Sequence, residues 1–97
     1  MKVKSMKSAR GNDVPNQFII DDVAIEIPNT FCLSMGTMFQ SYNSNVAFRA
    51  NGTVYLDSQD WDYSRTTGKY RNQFLNETKA DTQRKIDSGE YKLVDLN

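Results

Sequence analysis

Three carboxylates, Asp57, Asp60 and Asp62, fall within six residues around Trp61 and form the densest set of potential hard-cation ligands in the chain. Their spacing breaks the D-x-D-x-D-G order of an EF-hand loop, and no glutamate follows where a bidentate ligand would be needed. These acids suit better the start of a helix, whose positive dipole end favours negative charge. No metal is expected. Arg65-Thr66-Thr67-Gly68-Lys69 carries the Gly-Lys ending of a phosphate loop. A Walker A loop also needs a glycine five residues earlier and a hydroxyl after the lysine, to cradle phosphates and reach magnesium. Tyr63 and Tyr70 occupy those places, so nucleotide hydrolysis is not expected.

Cys32 is the one cysteine, and there is no histidine. The thiol therefore has no imidazole to activate it, no internal disulfide can form, and the commonest zinc ligand is missing. A lone thiol among apolar residues is more often core than nucleophile. The sequons Asn51-Gly52-Thr53 and Asn76-Glu77-Thr78 come with no secretion signal, so glycosylation is not expected. With no nucleophile–base pair and no carboxylate pair in an apolar setting, the expectation is a protein that is not an enzyme and needs no cofactor.

What remains is aromatic and basic. Trp61, Tyr63 and Tyr70 interleave with Arg65, Lys69 and Arg71. That combination binds single-stranded nucleic acid by stacking plus phosphate contact, and it equally describes a protein-binding patch anchored by Trp and Arg. The candidate partner-binding residues are Trp61, Arg65, Lys69, Arg71 and Asn72. Against this stands a plainer reading. A small domain needs most of its aromatics inside, so Tyr63, Tyr70 and Phe74 would form core while Arg and Lys are merely solvated.

These residues must be positioned by a single domain of 97 residues. Lys plus Arg and Asp plus Glu are 12 each, which leaves no net charge to draw the whole chain to a polyanion. Residues 1–11 hold Lys2, Lys4, Lys7 and Arg10 with no acid, and read as a flexible basic arm. No apolar run approaches the 18 residues or so of a membrane helix, and none follows the basic N-terminus as a signal peptide would require, so a cytoplasmic location is expected. Asn16 to Ile27 reads as one hairpin turning at Asp21-Asp22, with Val23, Ile25 and Ile27 alternating into a core. Asn29 to Met38, with Phe31, Cys32, Leu33, Met35 and Met38, has no clean period and reads as a short strand or buried loop. Phe39–Tyr42 and Val46–Ala50 read as strands. Asn51-Gly52 is the strongest local signal, a type I′ turn joining Val46–Ala50 to Thr53–Asp57.

A helix is expected from about Ser64 to Leu75, because Tyr63, Thr67, Tyr70 and Phe74 share one stripe while Arg65, Lys69, Asn72 and Asn76 share the opposite face. A second helix runs from about Thr78 to Ser88, with Thr78 and Asp81 as its capping pair and Gly89 after its end. The expected fold is α+β: a small antiparallel sheet of three to five strands followed by two short C-terminal helices.

The second half of the chain also carries a resemblance. Trp61-Asp62-Tyr63-Ser64 followed by Thr66-Thr67-Gly68-Lys69-Tyr70-Arg71-Asn72-Gln73-Phe74-Leu75 forms a W-D-Y-S…T-T-x-K-Y-R-N-x-F-L core. With Phe39-Gln40-Ser41-Tyr42, Val54-Tyr55-Leu56-Asp57 and Ser88-Gly89-Glu90-Tyr91, this resembles a family of short proteins from phages and mobile elements. The resemblance implies a setting and carries over no catalytic residue. It implies a phage-encoded protein that inhibits a host defence complex, of the anti-CRISPR or anti-restriction type, by binding without catalysis. Its partner would be a host or phage protein, a nucleoprotein complex included. The alternative is a small single-stranded nucleic-acid binder in phage replication or gene control.

Overall fold

The computed structural model describes residues 1–28, 30 and 32–97. Six strands, β1 (Lys2–Lys7), β2 (Asp13–Ile27), β3 (Cys32–Ser41), β4 (Ser44–Ala50), β5 (Thr53–Asp57) and β6 (Lys92–Val94), form one sheet in the order β1-β2-β3-β4-β5-β6. The first five run antiparallel to their neighbours, and β6 is parallel to β5. Helices α1 (Arg65–Leu75) and α2 (Lys79–Asp87) fill the crossover between β5 and β6. The fold is therefore α+β, as expected, but the sheet is larger and mixed. A parallel neighbour needs a crossover connection, and the two helices supply it.

The extra strands lie where local signals were weakest. Residues 1–11, expected as a flexible arm, contain β1, paired with β2 from Lys2↔Asp21 to Lys7↔Asp13 and anchored by the buried Met6. Asp21-Asp22, expected as a hairpin turn, form a bulge inside the 15-residue β2, where Asp22 has φ 57°. Aspartate tolerates that left-handed backbone better than most residues, and an inserted residue bends a strand rather than ending it. The turn comes after Ile27, whose carbonyl accepts from Thr30 N–H (3.2 Å) and Thr30 Oγ1 (2.8 Å). The stretch expected as a short strand or buried loop is the first half of β3, with Leu33 74% and Met35 63% exposed. Phe31 lies outside the described residues. Asn51 and Gly52 have φ 53° and 77°, the positive pair that a type I′ turn requires, and β4–β5 is the expected hairpin.

The sheet buries both faces. On one, Phe39, Val54 and Leu56 pack against Tyr70, Phe74 and Tyr91, with the Phe39 and Phe74 rings stacked at 5.8 Å. On the other, Met38, Phe48 and Ala50 are covered by Val23, Ile25 and Ile27 from the far half of β2. That hairpin bends across β4 at Gly36, where any side chain would run into the Arg49 carbonyl. The close approach explains the glycine. Phe48 is fully buried there, worth about 3 kcal/mol relative to an exposed ring. Among the described residues no helix is long and apolar enough to cross a membrane.

Candidate functional site

The start of α1 is built from its own polar residues. Ser64 is the N-cap in extended backbone (φ −150°), and its Oγ accepts from Thr67 N–H at 3.1 Å. Thr67 is fully buried, and its hydroxyl lies 2.9 Å from Ser41 Oγ, which ties the helix to β3. Tyr63 Oη donates to the Ser41 carbonyl at 3.0 Å. The acids expected to cap this helix do other work, since α1 has no acid in its first turn. Asp57 is buried, and its carboxylate accepts from the N–H groups of Gln59 (3.2 Å), Asp60 (2.8 Å) and Leu96 (2.9 Å), closing the loop after β5 and holding the chain's end. Asp62 turns instead towards Arg71 (2.9 Å) and Lys79 (2.5 Å), so the three carboxylates part company.

At its far end α1 stops at Asn76, in left-handed backbone (φ 56°), whose N–H donates to the Asn72 carbonyl. Two residues later α2 begins at a full capping box, Thr78 with Asp81. This tight connection sets Lys79 beside the α1 surface. Between them lies a groove of about 630 Å³, lined by Ser64, Arg65, Gly68, Lys69 and Asn72 together with Asp62, Arg71 and Lys79. Four cations thus line it against one carboxylate.

Their roles differ. Arg71 is only 1% exposed and serves as the frame: Nη1 donates to the Trp61 carbonyl (2.8 Å) and to Asp62 (2.9 Å), and Nη2 donates to Asn72 Oδ1 (2.9 Å). Its guanidinium also stands over the Trp61 ring, 5.1 Å from the centroid. A guanidinium buried this far must be paired on several sides to repay its desolvation. Burial alone would push the Asp62 carboxyl up, but the hydrogen bonds from Lys79 and Arg71 and their charges outweigh it and hold it below the usual carboxylate range. Arg65 and Lys69 are exposed, one turn apart, and have no carboxylate partner among the described residues. The Lys69 ammonium rests 5.5 Å from the Tyr70 ring centroid.

The five candidate residues therefore separate into three groups. Arg65 and Lys69 present free charge to the groove. Arg71 and Asn72 line it while bonded to each other, Arg71 as buried scaffold. Trp61 does not line it; it is half-buried, packed against the helix-side core and covered by Arg71. Lys79, Ser64, Gly68 and Asp62 complete the groove; in the sequence Asp62 reads as a helix-capping acid and Ser64 as the start of the helix, and Lys79 goes unrecognised. Only the capping box, which fixes where α2 starts, could have pointed to Lys79. Of the aromatics, Tyr70 and Phe74 are buried core, as the plainer reading expects, whereas Tyr63 is 42% exposed.

Fold and groove together define a small α+β protein with a cationic cleft between two short helices that close a mixed sheet. The chain belongs to the family of unknown function DUF8033, which it matches over residues 1–90. No curated protein and no solved structure matches it.

Proposed function

We propose that this is a phage-encoded binding protein that acts in the host cytoplasm without catalysis, inhibiting a host defence complex by occupying a surface of that complex with its α1–α2 groove. The observation that carries the binding reading is the charge inventory of the groove. Arg71 and Lys79 share the single carboxylate of Asp62, whereas Arg65 and Lys69 have no carboxylate partner among the described residues and stand on the rim. Exposed charges without partners add little to folding, so their concentration in one cleft is better matched to association, where complementary charge raises encounter rates and rejects wrong partners. The defence-complex setting comes from the phage-family resemblance of the Trp61–Leu75 core.

The test is capture of partners by the tagged full chain from infected host cells, with and without nuclease, beside the Arg65→Glu/Lys69→Glu variant. The reading expects a host protein that survives nuclease treatment and is lost in the double variant. Retention of that protein by the double variant would overturn the groove as the binding site. Loss of every partner on nuclease treatment would overturn protein binding in favour of nucleic acid.

A further inference from the structure

We infer that the groove recognises an acidic polypeptide, with carboxylates about one helical turn apart seated on Arg65 and Lys69. The inference rests on the groove being the binding site and names the chemistry of what it binds. Arg65 and Lys69 are separated by four residues of a regular helix, a rise of about 6 Å. Carboxylates at positions i and i+4 of a partner helix repeat at the same distance, so both pairs can form at once without distorting either element. Arg65 supplies the planar fork that grips a carboxylate with two donors, and Lys69 supplies a point charge with rotatable donors. Lys79, 59% exposed at its side chain and held by Asp62, adds positive field to the same cleft.

Three observations favour a polypeptide over a single-stranded nucleic acid. Stacking platforms need open aromatic faces. In and beside the groove Tyr70 is buried and Trp61 lies under Arg71, and the tyrosines that keep exposed surface, Tyr63 at 42% and Tyr42 at 46%, do not line it. Second, the groove offers two unpaired cations among the described residues, and two phosphate contacts would give a salt slope near −1.4 on a single strand, far less counterion release than the roughly 6–10 contacts of a protein that tracks a nucleic-acid backbone. Third, the basic residues at the N-terminus that could extend a phosphate track are partly spent, since Lys4 pairs with Asp21 and Lys7 with Asp13.

The experiment follows amide shifts of the 15N-labelled full chain during titration with three probes. One is an alanine-based helical peptide with three glutamates spaced i, i+4, i+8. The second is the same peptide with those glutamates scattered around the helix. The third is a thymidine oligonucleotide with three phosphodiesters. The inference expects the spaced peptide to shift residues 64–72 and 79 and to bind at least fivefold more tightly than either other probe. It also expects those shifts to vanish in Arg65→Glu/Lys69→Glu. Equal binding of the two peptides, tighter binding of the oligonucleotide, or no shift with any probe would each overturn it. Partner capture by the double variant decides the groove itself separately: a groove that loses its host partner on charge reversal yet ignores the spaced peptide is the right site with a different ligand.

Discussion

Two ion networks flank α2, and they are built differently. At its start, Arg71, Asp62 and Lys79 form a chain of pairs on the floor of a groove that leaves Arg65 and Lys69 uncompensated. At its other side, Glu77 accepts from Thr82 Oγ1 (2.5 Å), Tyr91 Oη (2.7 Å) and Lys85 Nζ (2.8 Å), with its side chain only 7% exposed. Three donors converge on Glu77, and through Tyr91 the network ties the crossover to the start of β6. Burial pushes its carboxyl up, but Lys85, Thr82 and Tyr91 together bring it below the usual range. A closed network is what stability asks for. The groove floor is less closed, since the buried Arg71 Nε has no hydrogen-bond partner among the described residues, and it carries surplus charge; that surplus is what the proposed binding site has and the brace lacks.

The sharpest way to break the comparison is to remove each keystone. Arg71→Ala leaves Asp62, the Trp61 carbonyl and Asn72 without their shared donor and opens space beside a half-buried Trp61. Asp62 keeps Lys79 and is 27% exposed at its side chain, so the loss comes from the unpaired Trp61 carbonyl and the space left by the buried side chain, about 3–4 kcal/mol, a large share of what so small a domain has. Urea unfolding should show it as a drop in midpoint with an unchanged slope; a loss under about 1 kcal/mol would mean Arg71 is not the frame. Glu77→Ala should cost less, about 2–3 kcal/mol, because Lys85 is partly solvated and can turn to water while Tyr91 and Thr82 lose a partner.

Acid tests both networks together. Asp62, Glu77 and Asp81 are all held below their ordinary values, Asp81 from 3.8 to about 2 by Arg84 first and by the Thr78 backbone and hydroxyl next. Each group therefore binds protons more weakly folded than unfolded. Its contribution is complete above the ordinary carboxylate value and is lost as pH falls through the folded one. Stability should be flat from about pH 7 to 5 and decline from about pH 4 towards 2, as read by urea midpoints. Glu77→Gln should make that decline shallower, and an unchanged pH profile in this variant would show that the brace is not charged.

Legibility in the sequence followed the range of the forces involved. Asn51-Gly52, the α1 stripe of Thr67, Tyr70 and Phe74, and the Thr78/Asp81 box were readable because turn geometry, helical period and capping are decided within a few residues. The Asp21-Asp22 bulge was not, because two acids in a row suit a turn as well as a bulge; the choice depends on β3 pairing across it from Gln17↔Ser41 to Ile27↔Cys32. β1 was hidden for a related reason. Its lysines read as a solvated arm, and only pairing with β2 makes it a strand, with Met6 as its one buried side chain. In the site, Arg65 and Lys69 were readable from spacing. The division of labour was not: whether an arginine is scaffold or contact depends on whether a carboxylate 9 residues away and a carbonyl 10 away turn towards it, as Asp62 and Trp61 do.

A smaller effect sharpens the picture of the groove floor. A Cβ on Gly68 would meet Asp62 Oδ1 at 3.4 Å and Arg71 Nη2 at 3.6 Å, ordinary contact, and the backbone there is helical. Gly68→Ala should therefore raise stability by up to about 1 kcal/mol, the helix-propensity difference, without disturbing Arg71. A destabilised variant would mean that the ion chain packs too tightly against the helix to accept a methyl group.

The smallest effect on folding is expected at the residues to which the proposed function assigns the largest effect on binding. Arg65 and Lys69 are exposed and unpaired among the described residues, and surface substitutions of that kind usually change stability by no more than about 0.5 kcal/mol. Reversing both brings new carboxylates near Asp62, but Arg71 and Lys79 already neutralise it, and the added repulsion acts through water. The two changes together amount to at most about 1 kcal/mol, so the melting temperature of Arg65→Glu/Lys69→Glu should stay within about 5 °C of the wild type while partner capture is lost. A fall comparable to that of Arg71→Ala would erase the difference between the two networks, because it would make the rim charges part of the brace and leave the groove with nothing to spare for a partner.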